Sequence, residues 1–111
     1  MSKYKNRKTT VDGITFDSKK EAARFQELRL LERAGEIQDL RCQVPFELVP
    51  AQRDAKGKLV ERPVKYLADF VYQNCATGER VVEDVKGYRT DVYKIKRRLM
   101  NHLYGIDIKE T

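Results

Sequence analysis

Three residues carry the strongest chemical signal in this chain: Asp69, Asp84 and Lys86. Asp84 and Lys86 stand two apart in VVEDVKG (81–87), and Asp69 is the sole acid in YLADFVY (66–72). Charged groups are costly to bury unpaired, so acids inside β-favouring runs call for partners. Side chains alternate along a strand, which puts Val82, Asp84 and Lys86 on one side and Val81, Glu83 and Val85 on the other. CATGE between the two runs reads as a turn, making them an antiparallel hairpin. A two- or four-residue loop centred between Thr77 and Gly78 sets Asp69 opposite Lys86, and a slip of two residues sets it opposite Asp84. Either register gathers all three residues on one face. A five-residue loop would set Asp69 opposite Val85 and disperse them, while a bulge near residue 83 would exchange the roles of Glu83 and Asp84.

Two carboxylates converging on one spot repel unless a cation joins them. Mg²⁺ takes oxygen ligands at roughly 2.1 Å, commonly one or two carboxylates, and keeps waters and substrate phosphate in its remaining positions. A lysine beside such an ion stabilises developing negative charge or orients an attacking water. Asp69, Asp84 and Lys86 therefore supply the parts for metal-dependent phosphodiester hydrolysis. The competing reading is an Asp69–Lys86 cross-strand ion pair with Asp84 as a solvated strand acid.

The elements that must position these residues are read from local pattern. The residues before position 11 read as a basic, flexible arm, and 11–111 as a single domain. Val11-Asp12-Gly13-Ile14 predicts a short hairpin ending near Phe16. Ser18 followed by Glu21 is a capping box, and Ala22, Phe25, Leu28 and Leu31 recur at helical spacing up to Gly35, predicting a helix over 18–34. Residues 37–49, interrupted by Pro45, read as a bent or edge strand. Residues 51–63 read as a loop or loose hairpin tip, 64–74 and 80–86 as the paired strands. Thr90 or Asp91 caps a second helix with Val92, Ile95/Lys96, Leu99 and Leu103 along its inward face, stopped by Gly105. Residues 106–108 read as a short last strand. The order α-β-β-β-α-β predicts an α/β domain with a mixed central sheet flanked by helices.

The chain has 111 residues, enough for one modest core, and its 41% hydrophobic content excludes a disordered tail. Lys and Arg number 23 against 17 Asp and Glu, and a net charge of +6 favours a polyanionic partner, nucleic acid first. An anionic membrane surface ranks second as a partner, and no apolar stretch approaches the ~18 residues of a membrane span, so no membrane-spanning segment is expected. The N-terminus lacks the apolar run of a secretory signal. Cys42 and Cys75, far apart and without CxxC company, are expected as free thiols in an intracellular protein.

An acid-bearing helix, then D…(D/E)xK on a hairpin, then a basic helix resembles the PD-(D/E)xK nuclease superfamily. FDSKKEAARFQEL, GEIQDL with Gln43 and PFEL, YLADFVY and VEDVKG are together similar to small phage-encoded (prophage) nucleases of its Holliday-junction-resolvase and restriction-endonuclease-like type. These segments are spread over residues 14–100. The resemblance implies a restriction-endonuclease-like core and a Mg²⁺- or Mn²⁺-dependent DNA endonuclease acting in the cytoplasm of a phage host. It assigns Asp69 and Asp84 as metal ligands and Lys86 as the catalytic lysine, with Ala68 standing where the family has its nominal proline. Glu21 matches the helix acid that completes many such metal sites, although its place in the capping box is a second sufficient reason for it. Lys96 matches the polar residue that the second helix often sends inward, while Lys94, Arg97 and Arg98 read as an outer basic face for phosphates. The small size favours recognition of branched or junction DNA over a long sequence. Symmetric cutting of two strands would call for a homodimer. The alternative is a non-catalytic DNA-binding module that retains the fold.

Overall fold

The computed structural model describes residues 8–85 and 89–111. Lys86 and most of the basic N-terminal arm lie outside the described residues. The chain runs β1 (Thr9–Val11), β2 (Ile14–Phe16), α1 (Lys19–Arg33), β3 (Ile37–Val49), β4 (Gln52–Arg53), β5 (Leu59–Glu61), β6 (Val64–Asn74), β7 (Arg80–Asp84), α2 (Asp91–Tyr104) and β8 (Lys109–Glu110). β1 and β2 form the expected hairpin, and β1 already takes in Thr9 and Thr10 of the arm. Both helices begin as their sequences predict. Ser18 Oγ accepts the Glu21 N–H, and Thr90 Oγ1 accepts that of Tyr93. Each side chain satisfies one of the N–H groups that a helix start leaves unpaired.

β3, β6, β7 and β8 form one sheet in that order. β3–β6 and β6–β7 are antiparallel, whereas β8 lies parallel to β7, with Glu83 beside Lys109 and Asp84 beside Glu110. A parallel partner requires a crossover, which α2 provides. The last strand forms at 109–110 rather than 106–108, because Ile106 and Ile108 pack into the core instead. Two cores result, one on each face of the sheet. α1 contributes Ala22, Phe25 and Leu28 to the first, against Phe16, Ile37, Phe70 and Tyr72. α2 contributes Tyr93 and Met100 to the second, against Phe46, Leu48, Tyr66, Ala68, Val71 and Val82.

The inward face of α2 is only partly the one its spacing predicts. Leu99 packs against the core and Lys96 is half-buried, as expected, but Val92, Ile95 and Leu103 are exposed, and Tyr93 and Met100 are buried in their place. The hydroxyl of Tyr93 explains the rotation, since it reaches Glu110 Oε2 at 2.7 Å while its ring fills the core. Residues 51–63 take the second of their two expected forms, a small two-stranded hairpin ribbon of β4 with β5. Among the described residues no helix is long and apolar enough to cross a membrane, and Cys42 and Cys75 are free.

Besides register shifts at Gln38/Arg41 and Glu47/Val49, the β3–β6 pair breaks its alternation beside Asp69. Strict alternation would put Ala68 and Phe70 on the same face, yet Ala68 packs on the α2 side and Phe70 on the α1 side. Their partners divide in the same way, with Val44 opposite Ala68 and Cys42 opposite Phe70. Between them Gln43 stands across from Asp69, and Gln43 adopts a left-handed φ of 53°. A residue in that conformation turns the pleat over, as a bulge does. Asp69 thus occupies the point where the strand changes face.

Candidate functional site

The β6–β7 register pairs Phe70 with Glu83, and one step further along it stand Asp69 and Asp84. This is the slipped register, with residues 75–78 as the loop, held by Gly78 N–H donating to the Asn74 carbonyl. Asp69 Oδ2 accepts the Val85 N–H at 2.8 Å, so the aspartate side chain takes over where the backbone ladder stops. Its carboxyl also neighbours Glu21 of α1 and feels the charges of Glu21 and Asp84. Glu21 and Asp84 are buried and Asp69 is half-buried. Burial, the Glu21 contact and the two neighbouring acids together push the Asp69 carboxyl up to about 9, against the opposing pull of the Val85 N–H.

Asp84 and Glu83 are separated as strand alternation requires. Asp84 turns to the α2 side, where its Oδ2 accepts the Tyr66 hydroxyl at 2.5 Å. Burial, followed by that contact, pushes the Tyr66 phenol far up, so it stays a neutral donor. Glu83 turns to the α1 side and is completely buried. Arg24 meets it with both forks of the guanidinium, Nε to Oε1 and Nη2 to Oε2, each at 2.8 Å. The Tyr72 hydroxyl also donates to Glu83 Oε2. Although burial pushes the Glu83 carboxyl up, the bonds from Arg24 and Tyr72 outweigh it and hold the group below the usual carboxylate range. Bidentate guanidinium–carboxylate pairing of this kind is geometrically specific. It locks α1 against β7, and Arg24 lies one turn beyond Glu21 on the same helix. The ion pair therefore positions Glu21 over Asp69.

Of the five residues singled out in the sequence, the structure sets Glu21 and Asp84 each beside Asp69, Glu21 from the α1 side and Asp84 from the neighbouring strand. Lys86 lies outside the described residues. Lys96 is half-buried on α2 but makes no hydrogen bond or ion pair with these carboxylates. The sequence pattern assigns Arg24 and Glu110 no role and gives Tyr66 and Tyr72 only a place in the core or at the sheet edge, where both are buried, without their bonds to the carboxylates. Glu110 accepts from Tyr93 at 2.7 Å and pairs with Arg89 at 2.6 Å and Arg97 at 3.4 Å, joining α2 to the last strand beside Asp84. Arg24 had a legible signal, a cation one turn from a candidate acid on the same helix face. The tyrosines had none, because a phenol that packs and a phenol that bonds a carboxylate look alike in sequence.

The donor set consists of carboxylates alone, the chemistry that hard divalent cations such as Mg²⁺ and Mn²⁺ prefer. Among the described residues no three His, Cys, Asp or Glu side chains are already spaced so that they could hold a metal ion. A proton on Asp69 and a cation would compete for the same oxygens, so the residues fit a cation in chemistry once Asp69 is deprotonated. No curated protein and no solved structure matches this chain. A family model matches residues 1–111, and the chain belongs to the family described as "Protein of unknown function (DUF1064)".

Proposed function

We propose that this protein is a Mg²⁺- or Mn²⁺-dependent DNA endonuclease with a restriction-endonuclease-like core. The observation that carries the reading is the meeting of Glu21, Asp69 and Asp84, from three different elements, in a basic domain. Structural acids are normally matched one to one with cations, as Glu83 is with Arg24. Asp69 instead has two acids as neighbours, an arrangement that destabilises the fold unless function requires it. The mixed sheet, with its antiparallel meander followed by a helix and a parallel strand, has the element order of the nuclease superfamily that the sequence resembles.

Asp69 and Asp84 would hold the cation, with Glu21 as the third carboxylate. A bound divalent ion supplies Lewis-acid polarisation of the phosphate and a water of lowered pKa. Tyr66 orients Asp84 through its hydroxyl, and Arg24 orients Glu21 through Glu83. In this reading Lys86, two residues beyond Asp84, orients the attacking water or stabilises charge on the phosphate. Lys96 in this reading contacts substrate phosphate. The substrate is DNA with branched or junction character, and a homodimer would place one site on each of two strands.

The test incubates purified protein with labelled duplex, nicked, flap and four-way-junction DNA in Mg²⁺, Mn²⁺ or EDTA. Metal-dependent cleavage is expected on at least one substrate. Asp84→Asn and Lys86→Ala should each lower the rate by about 10²-fold or more, the scale for loss of one electrostatic or acid–base group. Absence of metal-dependent cleavage on all four substrates, or cleavage that survives both substitutions, would overturn the proposal.

A further inference from the structure

The β4–β5 ribbon is a hairpin with no core of its own. Every residue from Gln52 to Arg62 is exposed, including Leu59 at 44% and Val60 at 61%. Two-stranded hairpins without a packed face are marginal in water, so the tip carries its own bracing. Asp54 Oδ1 accepts the N–H groups of Lys56 and Lys58, both at 2.9 Å. The Asp54 N–H donates to the Lys58 carbonyl at 3.0 Å, and Gly57 enters the turn at φ 82°. Arg53 Nη1 closes the tip on the Gly57 carbonyl at 3.0 Å. The acid at the tip is held in the turn, and the backbone it fixes presents Arg53, Lys56, Lys58 and Arg62 to solvent against two acids, Asp54 and Glu61.

The ribbon is continuous with the pair of strands that carries the acidic site. β3 and β6 end at Val49 opposite Val64, where the ribbon begins, and Asp69 lies five residues further along β6. At about 3.3 Å per residue, the base of the ribbon stands about 16 Å from Asp69 along the strand. B-form DNA has a major groove about 12 Å wide, which admits a two-stranded β-ribbon. Cations flanking such a ribbon meet the phosphates on both groove walls, and exposed aliphatic side chains such as Leu59 and Val60 are types that contact the thymine methyl group.

We infer that the β4–β5 ribbon is a DNA-contacting arm that enters the major groove of duplex DNA beside the acidic site, with Lys56 and Lys58 on the phosphates. The inference rests on the proposed DNA partner but not on the cleavage chemistry. It is tested by binding alone, with full-length protein, a labelled DNA duplex and EDTA present, measured by fluorescence anisotropy across a salt series. Lys56→Gln with Lys58→Gln should weaken binding about tenfold at moderate salt and reduce the slope of log K against log salt by about 2, near one unit per lost phosphate contact. The melting temperature should stay at the wild-type value, since the ribbon touches neither core. The charge-matched pair Lys94→Gln with Arg98→Gln on the outer face of α2 should reduce affinity and slope less.

An arm variant that binds duplex DNA with wild-type affinity and salt slope would overturn the inference, as would wild-type protein that binds no duplex DNA. An equal loss on double-stranded RNA, whose major groove is too narrow to admit the ribbon, would overturn groove entry. If cleavage proves absent while the arm variant still loses duplex binding, only the nuclease proposal falls. If the arm variant binds normally while Asp84→Asn abolishes cleavage, only the arm falls.

Discussion

Replacing Arg24 by methionine removes the guanidinium that holds Glu83 while keeping a side chain of similar length and helix propensity. Glu83 is completely buried and the pair is bidentate at 2.8 Å. Removing one partner of a buried pair typically costs about 3–5 kcal/mol, because the other charge is left uncompensated. Two features of the structure reduce that figure. Arg24 retains 19% side-chain exposure, so water reaches the vacated space, and Tyr72 continues to donate to Glu83. About 2–3 kcal/mol is therefore expected, against a total stability of about 5–15 kcal/mol for a domain of this size. The melting temperature should fall by about 10–15 °C.

The pH dependence identifies the cause. The folded-state Glu83 carboxyl lies below its unfolded value, so in wild type the pair's contribution is fully present above the unfolded carboxylate pKa of about 4.3 and is lost as pH falls through the folded value. Without Arg24, burial dominates and the group titrates upward, so the variant loses stability as pH rises above about 4. The gap between the two proteins should thus be small near pH 4 and largest near pH 7. Urea denaturation of both proteins across that range measures it, and Glu83→Gln in the Arg24→Met background should recover much of the loss at pH 7. A gap under about 1 kcal/mol at pH 7, or one independent of pH, would refute the claim that this pair anchors α1 on β7.

Asp69 behaves in the opposite sense. Its folded carboxyl stands near 9, above the unfolded value, so the stability it confers is complete below about pH 4 and declines as pH rises towards 9. Asp69→Asn can still accept from Val85 and donate to Glu21, and it should flatten the decline between pH 6 and 8 and stabilise the protein at pH 8 by about 1–2 kcal/mol in thermal melts. Under the metal proposal, Mn²⁺ should raise the wild-type melting temperature more at pH 8 than at pH 6, and Asp84→Asn should abolish that rise. Tyr66→Phe removes the donor to buried Asp84 and should cost about 1.5–3 kcal/mol by denaturant titration, the range for a hydrogen bond to a charged group. Gln43→Val places a β-branched residue at φ 53° and should cost about 1–3 kcal/mol, whereas Gln43→Gly should be neutral or stabilising in the same assay.

Both helices, the strand meander and the turn carrying Gly78 were legible in local sequence, because caps, period and turn chemistry act over a few residues. Alternation alone separated Asp84 from Glu83, since adjacent residues on a regular strand must face opposite ways. The same rule misleads at Asp69. There the left-handed backbone of Gln43, on a different strand, turns the pleat over, and a glutamine gives no local warning of positive φ. Helical spacing likewise selected Val92, Ile95 and Leu103 as the inward face of α2, whereas Tyr93 and Met100 were buried. An amphipathic helix offers several apolar arcs, and the choice among them depends on what the sheet presents, in this case Glu110 waiting for a phenol.

The acids themselves were visible in the amino-acid sequence, but their relationships were not. Whether Glu21 capped its helix, met Asp69 or did both depended on how α1 lies over β6 and β7, and a long-range guanidinium–carboxylate pair sets that placement. Residue type supplies the charge. The fold supplies the distance, which determines whether three carboxylates are solvated surface groups or perturb one another in one half-buried site.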